Sequence, residues 1–243
     1  GVDMLVEKPL AMNIEESKEI IDIAKNAGVK LAVGHIERHN PVIKYAKSAI
    51  DRGEWGKIIS LSSKRVSSYP ERIKDVGVVF DLGIHDLDIL SYLVGAEVSS
   101  VYGVGGSVKL KENEDFVSIT LQFKNGNVGY CEINWLTPMK VRQLNINCTS
   151  RYVEIDYINQ SVKQFSSEFL NLDESNLYST ELDISTKAAD IIKEEPLKLE
   201  LLDFLHSIEN KAQPLVSGED GLKAVILAKS VLDSIKKNKK IDI

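Results

Sequence analysis

Apolar runs alternate with a helical pattern along the first part of the chain. Residues 2–6 and 29–36 are apolar stretches without a helical period, which is typical of buried parallel strands. Between them, Asn13 and Glu16 have the spacing of a helix capping box, and Gly28 suits the C-terminal end of that helix. The pattern therefore predicts a βαβ unit with two parallel strands.

Further along the chain, the pattern becomes one of alternation. Asn40 and Pro41 predict the start of another helix, which ends near Gly53. After it, apolar and polar residues alternate as in strands with one exposed face, interrupted by a helix at about 79–93. Asn125-Gly126 is a typical β-hairpin turn. The predicted strands are 58–67, 101–109, 116–123, 127–135, 141–148 and 152–157.

The last part of the chain predicts one irregular segment and two helices. Residues 166–190 are polar and weakly patterned, which favours a loop. Residues 197–210 have a helical pattern, and Ser217 with Asp220 opens the final helix as a capping box. The residues of the first helix that we expect to face inward are Leu201, Phe204, Leu205 and Ile208. The whole pattern predicts an α/β (α+β) fold, in which a βαβ unit precedes a large, mostly antiparallel, open sheet.

The composition argues against several classes of protein. Hydrophobic residues make up 43% and charged residues 27% of the 243 positions, as in ordinary globular proteins. The formal net charge of −6 argues against nucleic acid or an anionic membrane as a general partner. No apolar run approaches the about 20 residues that span a bilayer. Cys131 and Cys148 lack close spacing, so we expect reduced, buried thiols in a cytoplasmic protein.

Asp81, His85 and Asp88 have the spacing that brings three side chains to one face of a helix. Three interpretations are open. His85 could be a hydrogen-bonded structural histidine, with the carboxylates at the surface or at caps. The three side chains could bind a divalent metal ion, although no further ligand is adjacent in the sequence. Alternatively, His85 takes the proton of a substrate hydroxyl while Asp81 orients or charges it.

Lys8 follows the first predicted strand and precedes Pro9, which stops that strand. The carboxyl ends of strands in an open α/β sheet are where ligands bind. A cation at such a position stabilises negative charge on a carbonyl or hydroxyl oxygen. The alternative is a solvated lysine, so Lys8 alone is weak evidence.

Three segments together resemble the Gfo/Idh/MocA oxidoreductases, the family of glucose-fructose oxidoreductase and inositol dehydrogenase. They are EKPLA at residues 7–11, GHIERHNP at 34–41 and DLGIHDLD at 81–88. PLVSGEDGLKA at 214–224 is similar to the C-terminal signature of the family. The resemblance covers essentially the whole chain. It implies a partial dinucleotide-binding (Rossmann) domain at residues 1–39 and a substrate and oligomerisation domain at 40–243.

The resemblance also implies a cofactor and a set of site residues. The cofactor is NAD or NADP, the catalytic residues are Lys8, Asp81 and His85, and no metal is expected. The residues expected near the cofactor are Glu7, Lys8, Pro9, Arg38 and Asn40. The residues expected to select the substrate are Tyr69, Arg72, Trp135, Lys140 and Arg142. Basic groups suit a nucleotide diphosphate, and an aromatic face suits a sugar or base ring.

Further segments are similar to a subgroup that oxidises nucleotide-linked amino sugars, the UDP-N-acetylglucosamine 3-dehydrogenases. They are KDVG at residues 74–77, which lacks the glycine run of many family members, WLTPMKVR at 135–142 and EPLKLE at 195–200. We therefore expect an NAD(P)-dependent dehydrogenase acting on a secondary alcohol of a sugar or nucleotide sugar, preferably a UDP-N-acetylhexosamine. The alternative is a glycoside hydrolase of the same family that uses bound NAD for transient oxidation.

No Gly-x-Gly-x-x-Gly loop precedes the first predicted strand. We therefore expect the chain to be the larger, C-terminal part of a nicotinamide enzyme, without the helix N-terminus that holds the pyrophosphate. Alone it is then expected to be inactive, and a non-catalytic, oligomer-forming remnant is a further hypothesis. The expected partners are a small-molecule sugar or nucleotide sugar and other copies of the chain, in a homodimer or homotetramer through the open sheet.

Overall fold

The computed structural model describes residues 1–71, 75–110, 112–171 and 181–243. Its helices are α1 (Ile14–Asn26), α2 (Pro41–Asp51), α3 (Ile84–Val94), α4 (Pro196–Glu209) and α5 (Gly218–Lys237). Its strands are β1 (Met4–Glu7), β2 (Leu31–Gly34), β3 (Ile58–Val66), β4 (Val98–Gly106), β5 (Phe116–Phe123), β6 (Val128–Asn134), β7 (Val141–Cys148), β8 (Tyr152–Asp156), β9 (Ser161–Asn171), β10 (Glu181–Ala188) and β11 (Ile241–Asp242). A short 3-10 helix (Ile36–His39) precedes α2, and a π-helical segment (Val79–Gly83) precedes α3.

The predicted βαβ unit is confirmed. Strands β1 and β2 are parallel, and Glu7 lies opposite Gly34 where both strands end. The backbone N–H of Glu16 donates to Oδ1 of Asn13 at 2.7 Å, which caps α1. Gly28 takes a φ of +65° just beyond the end of α1, a left-handed conformation that side chains disfavour. The local signals and the fold therefore agree in this region.

The large sheet has nine strands in the order β10-β9-β8-β7-β3-β6-β5-β4-β11. Only β3 and β6 pair in parallel, so the expectation of a mostly antiparallel sheet is confirmed. The β5–β6 hairpin turns at Gly126, which has a φ of +90°. Strand β4 ends at Gly106, before the predicted residue 109, because Val108 and Lys109 turn to donate their N–H groups to the buried Asp115 carboxylate.

The two faces of the large sheet differ in exposure. On β5, Val117, Ile119 and Leu121 are buried in one core cluster with residues of α3 and α5. The opposite face is open among the described residues, where Tyr130 is 46% and Val104 is 52% exposed. The alternation of apolar and polar residues along each strand therefore produces one covered and one open face.

The prediction of a loop at residues 166–190 is wrong for the described part of that segment. Strands β9 and β10 pair there in antiparallel fashion and extend the sheet at its edge, with Ser167 opposite Ile184. Residues 183–188 are all exposed, so this part of β10 has no buried face. Backbone pairing and the hydrogen bond between the Ser166 and Ser185 hydroxyls at 2.7 Å hold this edge, and an edge strand without a buried face leaves a weak sequence signal.

The predicted orientation of α4 is correct for Phe204 and Ile208, which are half-buried, and wrong for the other two residues. Leu201 and Leu205, which we expected to face inward, are 47% and 53% exposed. The residues that turn inward include Glu200 and Ser207, at 3% and 1% exposed. Periodicity located this helix correctly, but the stripe that turns inward is mixed, with Glu200 and Ser207 beside Phe204 and Ile208, and α4 lies against the 3-10 helix.

Helix α5 joins the two sheets. Its predicted capping box is present, because Ser217 and Asp220 exchange side-chain and backbone hydrogen bonds. It lies against β4 of the large sheet and against β2 of the small one. Gly221 approaches β2 so closely that a Cβ there would lie 2.7 Å from Val33. None of the described helices is long and apolar enough to cross a bilayer.

Candidate active site

Lys8 and Asp81 meet although they are far apart in the sequence. Lys8 follows β1, and its Nζ donates to the main-chain oxygen of Asp81 at 2.5 Å. The same Nζ lies 3.5 Å from Oδ1 of Asp81, with the two side chains 16% and 22% exposed. Burial lowers the pKa of Lys8, and the nearby Asp81 partly opposes this shift. A cation therefore lies at the carboxyl end of a parallel strand, the position inferred from the sequence.

The π-helical segment Val79–Gly83 positions Asp81. It replaces the first turn of the helix that the sequence predicted from residue 79, and α3 begins only at Ile84. The N–H of Val79 donates to Oε1 of Glu114 at 2.9 Å, which anchors the start of the segment. Short π segments within helices occur often at functional sites, because they redirect one side chain without ending the helix.

His85 lies in the first turn of α3 with one ring nitrogen enclosed. Its Nδ1 is buried and has no hydrogen-bond partner among the described residues. Burial holds the pKa of His85 well below its usual value, and the positive charges of Arg65 and Lys8 lower it further. At neutral pH the ring is therefore uncharged, with one lone pair free to accept a proton. Asp81 makes no hydrogen bond with His85 in the part of the chain that is described.

The next two carboxylates of the motif have buried arginine partners. Asp86 accepts from Nε of Arg65 at 2.8 Å, and both groups lie in the core beneath the large sheet. Asp88 accepts from Nη2 and Nε of Arg38 at 2.6 and 2.9 Å. Asp88 therefore does not join Asp81 and His85 as a third free side chain, since its charge is neutralised elsewhere.

The residues expected near the cofactor separate into two groups. Glu7 and Pro9 lie with Lys8 at the end of β1, and the Glu7 side chain is exposed. Arg38 instead pairs with Asp88 and stacks on Tyr92, 4.6 Å from the ring centroid. Asn40 caps α2, and its Nδ2 donates to the main-chain oxygen of Tyr157 at 3.3 Å. The polar groups of Arg38 and Asn40 are thus engaged within the protein.

The residues expected to select the substrate are also dispersed. Trp135 is 1% exposed and belongs to the core, with half-buried Tyr69 edge-on to it at 6.1 Å. Lys140 is exposed. Arg142 is half-buried, and burial together with the charge of Arg65 lowers its pKa to about 10. Arg72 lies outside the described residues.

Two buried groups near the site were missed by the sequence reasoning. His35 follows β2 directly, is 1% exposed, and has no partner for either ring nitrogen among the described residues. Arg65, on β3, binds Glu37 as well as Asp86, at 2.7 Å from Glu37 Oε1. The signal for His35 was present, because it has the same strand-end position that drew attention to Lys8.

Metal binding finds no support in the described residues. They contain no group of three or more histidine, cysteine, aspartate or glutamate side chains placed to hold an ion. Cys131 and Cys148 are free, buried thiols, as expected. The interpretation of Asp81, His85 and Asp88 as a metal site is weakened further by the pairing of Asp88 with Arg38.

Two family models match the chain in consecutive segments. The model described as the oxidoreductase family, NAD-binding Rossmann fold, matches residues 1–35. The model of the GFO/IDH/MocA C-terminal domain matches residues 43–154. The chain belongs to the Gfo/Idh/MocA oxidoreductase family. Residues 1–35 thus form part of its nicotinamide cofactor domain, so the expected cofactor class, NAD or NADP, is supported.

Individual relatives agree with this assignment. UDP-N-acetylglucosamine 3-dehydrogenase of Acidithiobacillus ferrooxidans is 27% identical over 95% of this chain and 70% of its own. A solved structure of that enzyme has a TM-score of 0.84 over 97% of this chain and 72% of its own, at 26% identity. Myo-inositol 2-dehydrogenase of Thermotoga maritima is 26% identical over 98% of this chain and 71% of its own.

A more distant structure shares the fold alone. An oxidoreductase from Agrobacterium radiobacter, solved with NAD+, L-tartaric acid and magnesium, has a TM-score of 0.82 at 17% identity. It covers 99% of this chain, and this chain covers 72% of it. The mixed fold with a large antiparallel sheet is therefore the common scaffold of these oxidoreductases.

Proposed function

We propose that the protein is an NAD(P)-dependent dehydrogenase that oxidises a secondary alcohol of a nucleotide sugar, preferably a UDP-N-acetylhexosamine. One observation supports this most directly. The Lys8 ammonium and the Asp81 carboxylate meet at the carboxyl end of β1, beside an uncharged His85. A cation and a neutral base at one site are what the removal of a hydroxyl proton requires.

The residues at the end of β1 fit the nicotinamide end of a dinucleotide. The exposed Glu7 carboxylate is an acceptor for hydroxyl groups, and Gly34 opposite it leaves no side chain between the strand ends. Lys8 is half-buried there, with its ammonium against the π-helical segment that precedes α3. The cofactor supplies the hydride acceptor when it is bound. Glu7, Lys8 and Pro9 are the residues that would hold its nicotinamide end.

The side chains of the protein then bind the substrate hydroxyl and accept its proton. The Lys8 ammonium donates a hydrogen bond to the substrate oxygen and stabilises negative charge as the O–H bond weakens. His85 accepts the proton at Nε2, because Nδ1 is enclosed. Asp81 holds Lys8 in place through the 2.5 Å contact with its main-chain oxygen and the 3.5 Å contact with its carboxylate. The departing proton thus ends on His85.

The preference for a nucleotide sugar rests on similarity and on charge. The relative from Acidithiobacillus ferrooxidans is named for its action on UDP-N-acetylglucosamine. In this chain, half-buried Arg142 lies close enough to the site for the charge of Asp81 to raise its pKa, against the lowering by burial and Arg65. A guanidinium there would give paired hydrogen bonds to a diphosphate. Tyr69 offers the aromatic face for a ring.

The direct test is a substrate comparison on the natural protein. Reduction of NAD and of NADP is measured with UDP-N-acetylglucosamine, free N-acetylglucosamine and myo-inositol. We expect the nucleotide sugar to be oxidised most efficiently. If a free polyol reacts equally well, the diphosphate is not recognised and the nucleotide-sugar assignment fails. Cleavage of an aryl glycoside without net cofactor reduction would instead identify the hydrolase chemistry.

Cofactor binding gives a second test on residues 1–243 alone. They contain no Gly-x-Gly-x-x-Gly loop to hold a pyrophosphate, so we propose that they bind NAD(H) weakly and are inactive alone. Calorimetry at micromolar concentrations should give no clear isotherm. Tight binding would show that the cofactor site lies within these residues.

The open face of the large sheet supports an oligomer. It exposes Tyr130, Val104 and Tyr102, at 46%, 52% and 39%. We propose a homodimer or homotetramer that covers this face. Light scattering should show a dimer or tetramer, and Tyr130→Asp should shift the protein toward monomer. The matched control is Ile23→Asp, which alters an equally exposed apolar residue on α1 and should leave the mass unchanged.

A further inference from the structure

His35 and His85 form a pair of neighbouring imidazoles with unused hydrogen-bonding groups. Their ring centroids lie 6.5 Å apart with an interplanar angle of 86°. Both ring nitrogens of His35 and Nδ1 of His85 are buried without partners among the described residues. Buried polar atoms are nearly always hydrogen-bonded, so this arrangement favours a site that exchanges protons directly or across one bound water.

His35 continues toward a buried carboxylate. Its Nδ1 lies 3.9 Å from Oδ2 of Asp88, which Arg38 holds by hydrogen bonds to both oxygens. Asp88 lies about one helical turn after His85 on α3, and Arg38 lies in the 3-10 helix. A line of polar groups therefore runs from His85 through His35 to Asp88.

This line reaches solvent in a cleft between α3 and α5. The cleft has a volume of about 590 Å³, and its lining includes Arg38, Asp88, Tyr92, Asp220, Ala224 and Leu227. Lys8, Asp81 and His85 are not among the lining residues. The cleft is therefore a second opening, distinct from the site formed by Lys8, Asp81 and His85.

We propose that His35 is a proton-relay residue, which carries the proton taken up by His85 through Asp88 to the water of the cleft between α3 and α5. This inference rests on the proposed dehydrogenase function. His35 acts through His85 and does not touch the substrate. It is therefore a positioning residue, which guides the proton away from His85.

The relay conserves protons and changes no oxidation state. When His85 has gained the substrate proton at Nε2, the N–H bond at its Nδ1 breaks and a new N–H bond forms at one ring nitrogen of His35. The other ring nitrogen of His35 releases its proton to Oδ2 of Asp88, and from there to water. Both histidines are then uncharged, each with its remaining proton on the opposite ring nitrogen from before, and one proton has reached the solvent.

The charges around His35 suit transient protonation. A positive charge on the His35 ring is disfavoured by Lys8 after β1, Arg38 in the 3-10 helix and His85 in α3. It is favoured by Asp88 in α3 and Asp220 in α5. Burial is the largest effect and lowers the pKa of His35. His35 therefore rests uncharged, and Asp88 stabilises the positive charge during transfer.

The kinetic test compares His35→Ala with His39→Ala in the natural protein. His39 is the matched control, since it is 2% exposed and ends the 3-10 helix that follows His35. The charges that act most strongly on it are Asp203 and Lys44, ahead of Arg38 and Asp88. We expect His35→Ala to lower kcat roughly tenfold or more, with unchanged KM and a larger solvent isotope effect. Added imidazole should restore the rate. His39→Ala should show none of these changes.

A spectroscopic test on residues 1–243 does not depend on turnover. The chain has 4 histidines, whose ring nitrogens are resolved by isotope-edited NMR. We expect His35→Phe to shift the titration of His85 and His39→Phe to leave it unchanged. If His35→Phe does not fold, His35→Gln serves in its place.

The outcomes separate the two proposals. If the wild type oxidises an alcohol and His35→Ala keeps the wild-type rate, pH profile and isotope effect, the relay is wrong and the dehydrogenase stands. If the wild type oxidises no alcohol, the proposed function fails. An unchanged His85 titration in the His35 variant also overturns the relay.

Discussion

Helix α3 and the segment before it carry two regions of charge that differ in how completely they are neutralised. At the front, Lys8 and Asp81 touch at 3.5 Å and keep some exposure, and His85 has no partner for Nδ1 in the described chain. Directly behind, Asp86 and Asp88 are nearly inaccessible, and each is held by an arginine.

The difference separates reactive from structural groups within one motif. A buried charge is costly unless a partner of fixed geometry neutralises it, which Arg65 and Arg38 do for Asp86 and Asp88. His85, the proposed acceptor of the substrate proton, is instead left without a partner at Nδ1 among the described residues, whereas Asp88 keeps its arginine and takes a proton only in transit. Residue type alone does not separate Asp81 from Asp86, but the presence of a buried arginine does.

The largest effect on stability is expected from Arg65→Met. It leaves the buried Asp86 and the half-buried Glu37 without their arginine, which should lower the free energy of unfolding by about 3–5 kcal/mol in denaturant titrations. The matched control is Lys64→Met on the same strand, whose exposed pair with Glu132 should contribute less than about 1 kcal/mol. Equal losses in the two variants would contradict the assignment of Arg65 as the structural partner.

The next largest effect is on turnover, and it concerns the front region. His85→Ala should lower kcat about a hundredfold or more, because the acceptor of the hydroxyl proton is lost. Nicotinamide binding and the melting temperature should stay nearly unchanged. His206→Ala, at an exposed histidine of α4, is the control and should leave kcat intact. Normal turnover in His85→Ala would exclude this residue as the base.

The comparison of paired and unpaired buried carboxylates extends to Glu200 of α4, which has no arginine partner among the described residues. Burial, with Glu7 and Asp203 nearby, raises the pKa of Glu200 from 4.5 to about 7. The folded state then binds the additional proton, so stability is lost as the pH rises from 4.5 toward 7. Glu200→Gln should therefore be more stable than the wild type at about pH 8, by on the order of 1–3 kcal/mol, and similar to it at about pH 4.

Glu209→Gln is the control for this experiment, because it changes an exposed carboxylate of the same helix and should show no such pH dependence. Denaturant titrations across this pH range measure both variants. If the advantage of Glu200→Gln is the same at low and high pH, the carboxylate is not titrating as described.

The smallest expected effect on stability concerns Lys8. Burial lowers its pKa, so the unfolded chain binds that proton more tightly, and stability rises with pH between the folded value and 10.5. At neutral pH, Lys8→Met should change the free energy of unfolding by less than about 1 kcal/mol, while turnover falls. A loss as large as that of Arg65→Met would place Lys8 among the structural charges.

The features that were predicted correctly from the sequence are mostly those that depend on a few adjacent residues. The cap at Asn13, the turn at Gly126 and the capping box at Ser217 each depend on a few adjacent residues, and the structure contains all three. The βαβ unit and the alternating strand β5 followed from periodicity. The strand-end rule also selected Lys8, which the fold brings to Asp81.

The predictions that failed concern features that depend on residues distant in the sequence. The inward face of α4 is set by the 3-10 helix, and nothing within residues 196–209 signals that Glu200 rather than Leu201 turns inward. Strand β10 forms by pairing with β9 at the sheet edge. The partners of Asp86 and Asp88 lie in other elements, so their structural role was invisible in the motif. Which residues bind substrate stays a prediction.

The position of helix α5 has a consequence for the order in which the molecule assembles during synthesis. The small core around Leu10 and Val33 is completed by Val216, whose main-chain oxygen accepts from the N–H of Val33 at 3.2 Å. Val33 therefore waits for a residue that the ribosome adds 183 positions later. Until then β2 keeps an unsatisfied edge, which makes the nascent βαβ unit a natural client for chaperones.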